Sequence, residues 1–159
     1  MKRLVSSTLM GCAAVVLLAA LPSPTQAQAP AAPATAAVDA DEEWKLLQGA
    51  WEGVEKGQEN AGKCNLTITD KTVSFVGAKP QEWYKGTLEL RVDKNPKQLD
   101  GTITACPQDS FVGKISRGIY KLDGDTLTLV GRIPGAPDSP KSFDDGEQTR
   151  TFVLKRAVK

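Results

Sequence analysis

Histidine is absent from the 159 residues. That removes the commonest general base, the Ser-His and Cys-His nucleophile pairs, and every histidine-containing zinc site. Cysteine is scarce: Cys12, Cys64 and Cys106 are the whole set, and no Cys-x-x-Cys frame offers a redox dithiol. Aromatic residues make up only 6% of the chain. Neither charge sign dominates, with 20 Lys+Arg against 19 Asp+Glu, so there is no electrostatic case for a nucleic-acid partner. Long apolar runs are missing as well. The strongest, from Leu9 to Leu21, falls short of the ~20 residues that cross a bilayer.

What is present begins with an address. Lys2 and Arg3 precede an apolar stretch from Leu4 to Leu21, Pro22 and Pro24 break it, and Thr25-Gln26-Ala27 supplies small residues at −3 and −1. Residues 1–27 read as a secretory signal peptide cut after Ala27, which places the mature chain in the periplasm or outside the cell. The alternative is lipoprotein anchoring at Cys12, from the box Leu9-Met10-Gly11-Cys12. Against it, most of the apolar run follows this cysteine instead of preceding it. Loss of Lys2 and Arg3 turns the net charge from +1 to −1, which attracts neither nucleic acid nor an anionic membrane.

Residues 28–40, QAPAAPATAAVDA, are an Ala/Pro-rich linker. The folded domain is then 41–159. In an exported chain the remaining pair, Cys64 and Cys106, predicts a disulfide that stabilises by about 4 kcal/mol in the chain-entropy picture. Asp41 is placed to cap a short helix with Glu42 and Glu43 in its first turn, Trp44 and Leu47 on one face and Gly49 at its end.

From Gly49 onward the apolar period becomes two. Strands are expected at 49–56, 63–69, 72–77, 83–92, 99–105, 113–122, 126–132 and 149–156. Asp70-Lys71, Asn95-Pro96 and Asp123-Gly124 supply turns between them. Eight short strands and no crossover helix predict an all-β, antiparallel up-and-down barrel with a short N-terminal helix. A β-sandwich is the alternative, since both architectures bury one face per strand. Residues 133–148, IPGAPDSPKSFDDGEQ, form one long loop without a strand pattern.

Three stretches also belong together: Leu46-Leu47-Gln48-Gly49-Ala50-Trp51-Glu52, Gly118 to Leu127 (GIYKLDGDTL), and Phe152-Val153-Leu154-Lys155-Arg156. In this order and spacing, over about residues 43–157, the chain resembles a family of uncharacterised exported lipocalin-like domains expanded in planctomycete bacteria. The resemblance implies a lipocalin-like barrel and no established activity. Gly49 and Trp51 are similar to the first-strand signature of lipocalins. That likeness implies structural roles: Trp51 packed across the closed end, with Arg156 as the basic residue stacked on it. It also implies that any ligand enters at the opposite, open end.

The residues offer little chemistry. Asp123 and Asp125 flank Gly124 without the full calcium-loop ligand pattern, and Asp-Gly is a common hairpin turn. Asp144, Asp145 and Glu147 surround Gly146, where a solvated loop is the simpler account. Without histidine a serine nucleophile needs a lysine base, and neither Ser142 near Lys141 nor Ser116 near Lys114 sits in a recognisable frame. No catalytic residue, metal site or cofactor is assigned. Trp83 and Tyr84 are neighbours in one strand, so they point to opposite faces. Strand parity gathers the long loop with the 57–62, 78–82 and 107–112 connections at one end and the tight turns at the other. Phe143 is the only aromatic of the long loop. Phe143, Trp83 and Tyr84 are therefore the candidate ligand contacts, with Phe143 as a lid over the opening.

Three functions remain. The first is a non-catalytic exported binding module for a small apolar ligand. The second is a monomeric structural or protein-interaction barrel with a filled core and no ligand, its partner an envelope protein. The third is an enzyme, for which no residue frame argues. Bulk at inward positions separates the first two. Gly86, Gly101 and Ala105 leave room, while Leu66, Ile68, Phe75, Leu88, Leu90, Ile103, Leu127, Leu129 and Leu154 fill it.

Overall fold

The computed structural model describes residues 39–144 and 146–158. The expected signal peptide 1–27, with the alternative of lipidation at Cys12, the expected linker up to residue 38, and Asp145 lie outside the described residues. One helix and eight strands follow in order: α1 (Ala40–Leu47), β1 (Gly49–Glu55), β2 (Cys64–Thr69), β3 (Thr72–Val76), β4 (Trp83–Arg91), β5 (Gln98–Ala105), β6 (Ile115–Asp123), β7 (Thr126–Arg132) and β8 (Thr149–Arg156). Each strand pairs antiparallel with the next, and β8 pairs back onto β1, with Trp51 opposite Arg156 and Gly53 opposite Leu154. That last ladder closes the sheet into a barrel and excludes the sandwich. Closure leaves no unpaired sheet edge.

The helix starts earlier than its sequence suggests. Asp39, not Asp41, is the N-cap, and its Oδ1 accepts from Asp41 N at 2.9 Å. Both aspartates suit the position. Tertiary packing decides between them, because Glu43 and Leu47, one turn apart, are the residues buried against the barrel. Asp39 and Ala40 thus belong to the domain, not to the linker. Gly49 has φ of 111°, a conformation open to glycine that turns the chain from helix into β1.

Connections in an up-and-down barrel alternate ends. The turns at 70–71, 92–97 and 124–125 share the α1 end, where Trp51 sits. The connections 56–63, 77–82, 106–114 and 133–148 share the other end. The α1 end is closed. Leu47 is fully buried and Trp51 is 1% exposed. Trp51 Nε1 donates to Leu47 O at 3.0 Å, and the Arg156 guanidinium stacks 4.2 Å from the indole centroid. Arg156 also donates to Leu46 O and Gln48 O, both at 2.8 Å, so it holds the helix C-terminus against the barrel. Gln48 bonds reciprocally with the backbone of Asp70, and Lys97 pairs with the buried Glu43 at 2.7 Å.

Two expectations are corrected here. Cys64 and Cys106 are not bonded; both are buried free thiols. Cys64 opens β2 and Cys106 follows β5, and β3 and β4 lie between them. Three strand spacings of about 4.8 Å exceed the Cα reach of a disulfide, roughly 7 Å. Each thiol donates to a local carbonyl instead, Cys64 to Gly53 O at 3.5 Å and Cys106 to Gln108 O at 3.0 Å. Phe143 is not a lid. The 133–148 loop leaves the open end and runs down the outer wall of β6. Arg117 Nε donates to Pro137 O, Gly135 N to Ile115 O, and Lys121 Nζ stands 5.8 Å from the Phe143 ring centroid. Outward-facing Ile119 and Val130 are fully buried, as expected for side chains covered on the outer wall.

Candidate functional site

Strand alternation sends one residue in two to the barrel interior. In β2 these are Cys64, Leu66 and Ile68, all buried. The inward side chains do not fill the space. A cavity of about 250 Å³ remains, running from Leu47 at the closed end to Phe111, Ile133 and Pro134 at the open end. Its wall is apolar on most sides, with Leu66, Phe75, Leu88, Ile103, Leu129 and Phe152 prominent.

Glycine makes the room, in two different ways. Gly86, Gly101, Gly118 and Gly131 line the cavity from four consecutive strands. At Gly86 a Cβ would overlap the Thr102 carbonyl, and at Gly118 it would lie 2.9 Å from Val130 O. These two permit close strand approach. At Gly101 the nearest atom to a Cβ would be Leu88 Cδ2 at 3.5 Å, and at Gly131 it would be Ser116 Oγ at 3.8 Å. These two simply leave volume. Gly101 was legible as a space-maker; Gly86 was expected to leave room too, but the Thr102 carbonyl stands where its Cβ would be. Gly118 and Gly131 were missed, although they are paired directly across β6 and β7.

Tyr84 faces inward and lines the cavity, while its neighbour Trp83 is absent from the lining and belongs to the outer face. Tyr84 is part of an aromatic wall. Its ring centroid is 6.2 Å from that of Phe75, which meets Phe152 edge-on at 5.1 Å. Burial raises the Tyr84 phenol above its usual pKa. Phe143, on the outer wall, takes no part. The aromatic at the lip is Phe111, from a single 3-10 turn (Asp109–Phe111) in the 106–114 connection. Its place was predictable from strand parity, but nothing local marked it as inward.

The polar feature that sequence reasoning missed is Arg150. It lies on the same face of β8 as Phe152, with its guanidinium 5.0 Å from that ring's centroid. Its Nε and Nη2 grip Glu55 of β1 at 2.7 and 2.6 Å, and Nη2 also meets Glu82 of the 77–82 connection at 2.5 Å. Both carboxylates are less than a fifth exposed. The Glu55 hydrogen bonds, foremost, hold Arg150 charged well above its ordinary range. The two residues of the main pair are 95 apart in sequence, so no local pattern could connect them. Tyr120 lines the deeper cavity and is 2% exposed; among the described residues its hydroxyl meets no partner at good hydrogen-bond geometry, with the Glu43 carboxylate the nearby acceptor. Burial, and then the nearby Glu43 carboxylate, raise its pKa.

Compared with protein-family models, curated proteins and solved structures, the chain matches none of them.

Proposed function

We propose that this domain is an exported, lipocalin-like binding module that holds one small apolar molecule inside the barrel and catalyses nothing. The carrying observation is the 250 Å³ cavity inside a closed eight-stranded barrel. An eight-stranded barrel is just wide enough to be filled by side chains or to hold one small ligand. The volume falls somewhat below the ~300–1,000 Å³ of drug-sized sites, yet exceeds the ~150 Å³ that admits benzene. The partly buried carboxylates Glu55 and Glu82, beside the cavity, are both committed to Arg150, which supports the non-catalytic reading. The closed sheet supports a monomer.

The test is calorimetric titration with 2-naphthol, a compact apolar probe, alongside native mass spectrometry of the protein purified from its own envelope fraction. The native domain should bind the probe. Gly131→Leu puts a side chain into the cavity where the nearest atom to its Cβ is Ser116 Oγ, at an ordinary contact distance of 3.8 Å, so it should abolish binding and leave the fold intact. Equal binding by a folded Gly131→Leu variant would defeat the proposal. A second reading, an interaction barrel for an envelope protein, draws on the open end, where Val112 and Ile133 are each 46% exposed. It predicts a co-purifying protein and no small molecule.

A further inference from the structure

We propose that the outer wall carries a second site, separate from the barrel cavity: a polar groove, walled on one side by the 133–148 loop, that binds a phosphate or sulfate group. The groove encloses about 600 Å³. Arg91 from β4, Arg117 from β6 and Lys141 from the long loop line it together. Asp138 is the one carboxylate of the lining, and it is exposed, so solvent and salt screen it. Three cations against this single carboxylate give the lining a net charge of +2.

Strand alternation brings these groups together outside the barrel. Leu99 and Gly101 line the inner cavity, so Gln98 and Asp100 of β5 face outward. Asp100 stands opposite Arg117 in the β5–β6 ladder, and Gln98 stands opposite Arg91 in the β4–β5 ladder. The Asp100 side chain is 6% exposed. Its Oδ2 accepts from Arg91 Nη2 at 2.8 Å and from Arg117 Nη1 at 3.3 Å, while its buried Oδ1 meets no donor among the described residues. Arg117 Nε also donates to Pro137 O at 2.9 Å, which ties the loop to the same guanidinium. One buried carboxylate is thus shared by two cations. With Asp100 counted, the group of Arg91, Arg117, Lys141, Asp138 and Asp100 still sums to +1.

This arrangement holds two guanidinium forks in place before any ligand arrives, which lowers the ordering cost of binding. A guanidinium has five N–H donors, and the contacts above use one on Arg91 and two on Arg117. Cations supplied by three separate elements suit an anion with more than two acceptor oxygens. Phosphate and sulfate groups present such oxygens in a tetrahedron, whereas a carboxylate presents two in a plane and satisfies a single fork. Apart from Pro96, Pro137 and Pro140 the lining is polar, and Asn95, Gln98 and Ser139 suit the hydroxyls or ester oxygens next to such a group.

An NMR titration of the isotope-labelled protein with sodium phosphate, sodium sulfate and sodium acetate, at pH 7 and constant ionic strength, tests the site. Phosphate and sulfate should give saturable shifts at the Arg91 and Arg117 Nε–H signals and at the amides of residues 138–141. The tighter of the two identifies the ester the groove prefers. Acetate should bind about threefold more weakly or worse. Lys141→Gln changes an exposed side chain and should weaken phosphate binding about threefold, while Asp138→Asn should strengthen it by a similar factor. Arg91→Gln keeps the Arg117–Asp100 pair and should weaken it as well. Shifts that do not saturate and spread over the surface lysines would overturn the proposal. So would equal affinity for acetate, or unchanged phosphate affinity in folded Lys141→Gln and Asp138→Asn. Each of these results leaves the cavity reading standing, because 2-naphthol binding is measured separately.

Discussion

Replacing Trp51 with alanine removes the keystone of the closed end. The indole is 1% exposed and packs with Leu47, Leu66 and Leu154 in one core cluster. Truncating a buried tryptophan costs about 3–5 kcal/mol, and the fixed surroundings here place it toward the upper half of that range. The same change strips Leu47 O of its donor at the end of α1, and deprives Arg156 of the ring it stacks on. Cation–π contacts of this kind contribute about 0.5–2 kcal/mol, part of which is already counted in the truncation. With an m value of about 2 kcal/mol/M, a loss near 4 kcal/mol lowers the urea midpoint by about 2 M. Equilibrium unfolding followed by circular dichroism reads this directly. Trp51→Phe separates the contributions: it keeps most of the apolar volume, loses the Nε1 hydrogen bond, and should cost about 1–3 kcal/mol. An unchanged midpoint in Trp51→Ala would refute the reasoning. Equal losses in the two variants would show that the hydrogen bond, not the packing, carries the closed end.

Thiol titration of the denatured domain 39–159 without reductant should find two free thiols, and the native domain should react slowly, since both are buried and burial raises the Cys64 pKa. Phe143→Ala should leave the affinity for 2-naphthol unchanged, because this ring sits against Lys121 on the outer wall; a loss of about tenfold would restore it as a lid. Gly86→Ala should lower the thermal midpoint where Gly131→Ala does not, because only the first places a methyl against a neighbouring carbonyl. The Tyr120 pKa is higher in the folded state than in the unfolded chain, so the unfolded phenol loses its proton first as pH rises past about 10. Stability should be intact below that pH and fall above it. Urea midpoints from pH 8 to 11 should show a shallower fall in Tyr120→Phe, and parallel curves would count against this assignment.

Local pattern alone placed the eight strands and the short helix of this domain; closure of the sheet decided between barrel and sandwich. Alternation such as Cys64, Leu66, Ile68 against Asn65, Thr67, Thr69 depends only on successive side chains pointing to opposite faces. Turn residues then marked where each strand stops, so strand limits agree with the structure to within two residues. Strand parity alone also separated long loops from tight turns, and the resemblance of the Gly49–Trp51 stretch placed Trp51 and Arg156 together at the closed end. The barrel's third dimension lay beyond such patterns. Whether Cys64 and Cys106 meet depends on how many strands intervene, and compartment reasoning carries no distance. Whether Phe143 covers the mouth depends on where the 133–148 loop docks, and its contacts with Ile115, Arg117 and Lys121 are fixed only in the folded barrel. The Arg150–Glu55–Glu82 cluster joins β8, β1 and the 77–82 connection, which only closure of the sheet brings together. Inward and outward are set by the period of a single strand, but contacts across a barrel are set by the curvature of all eight.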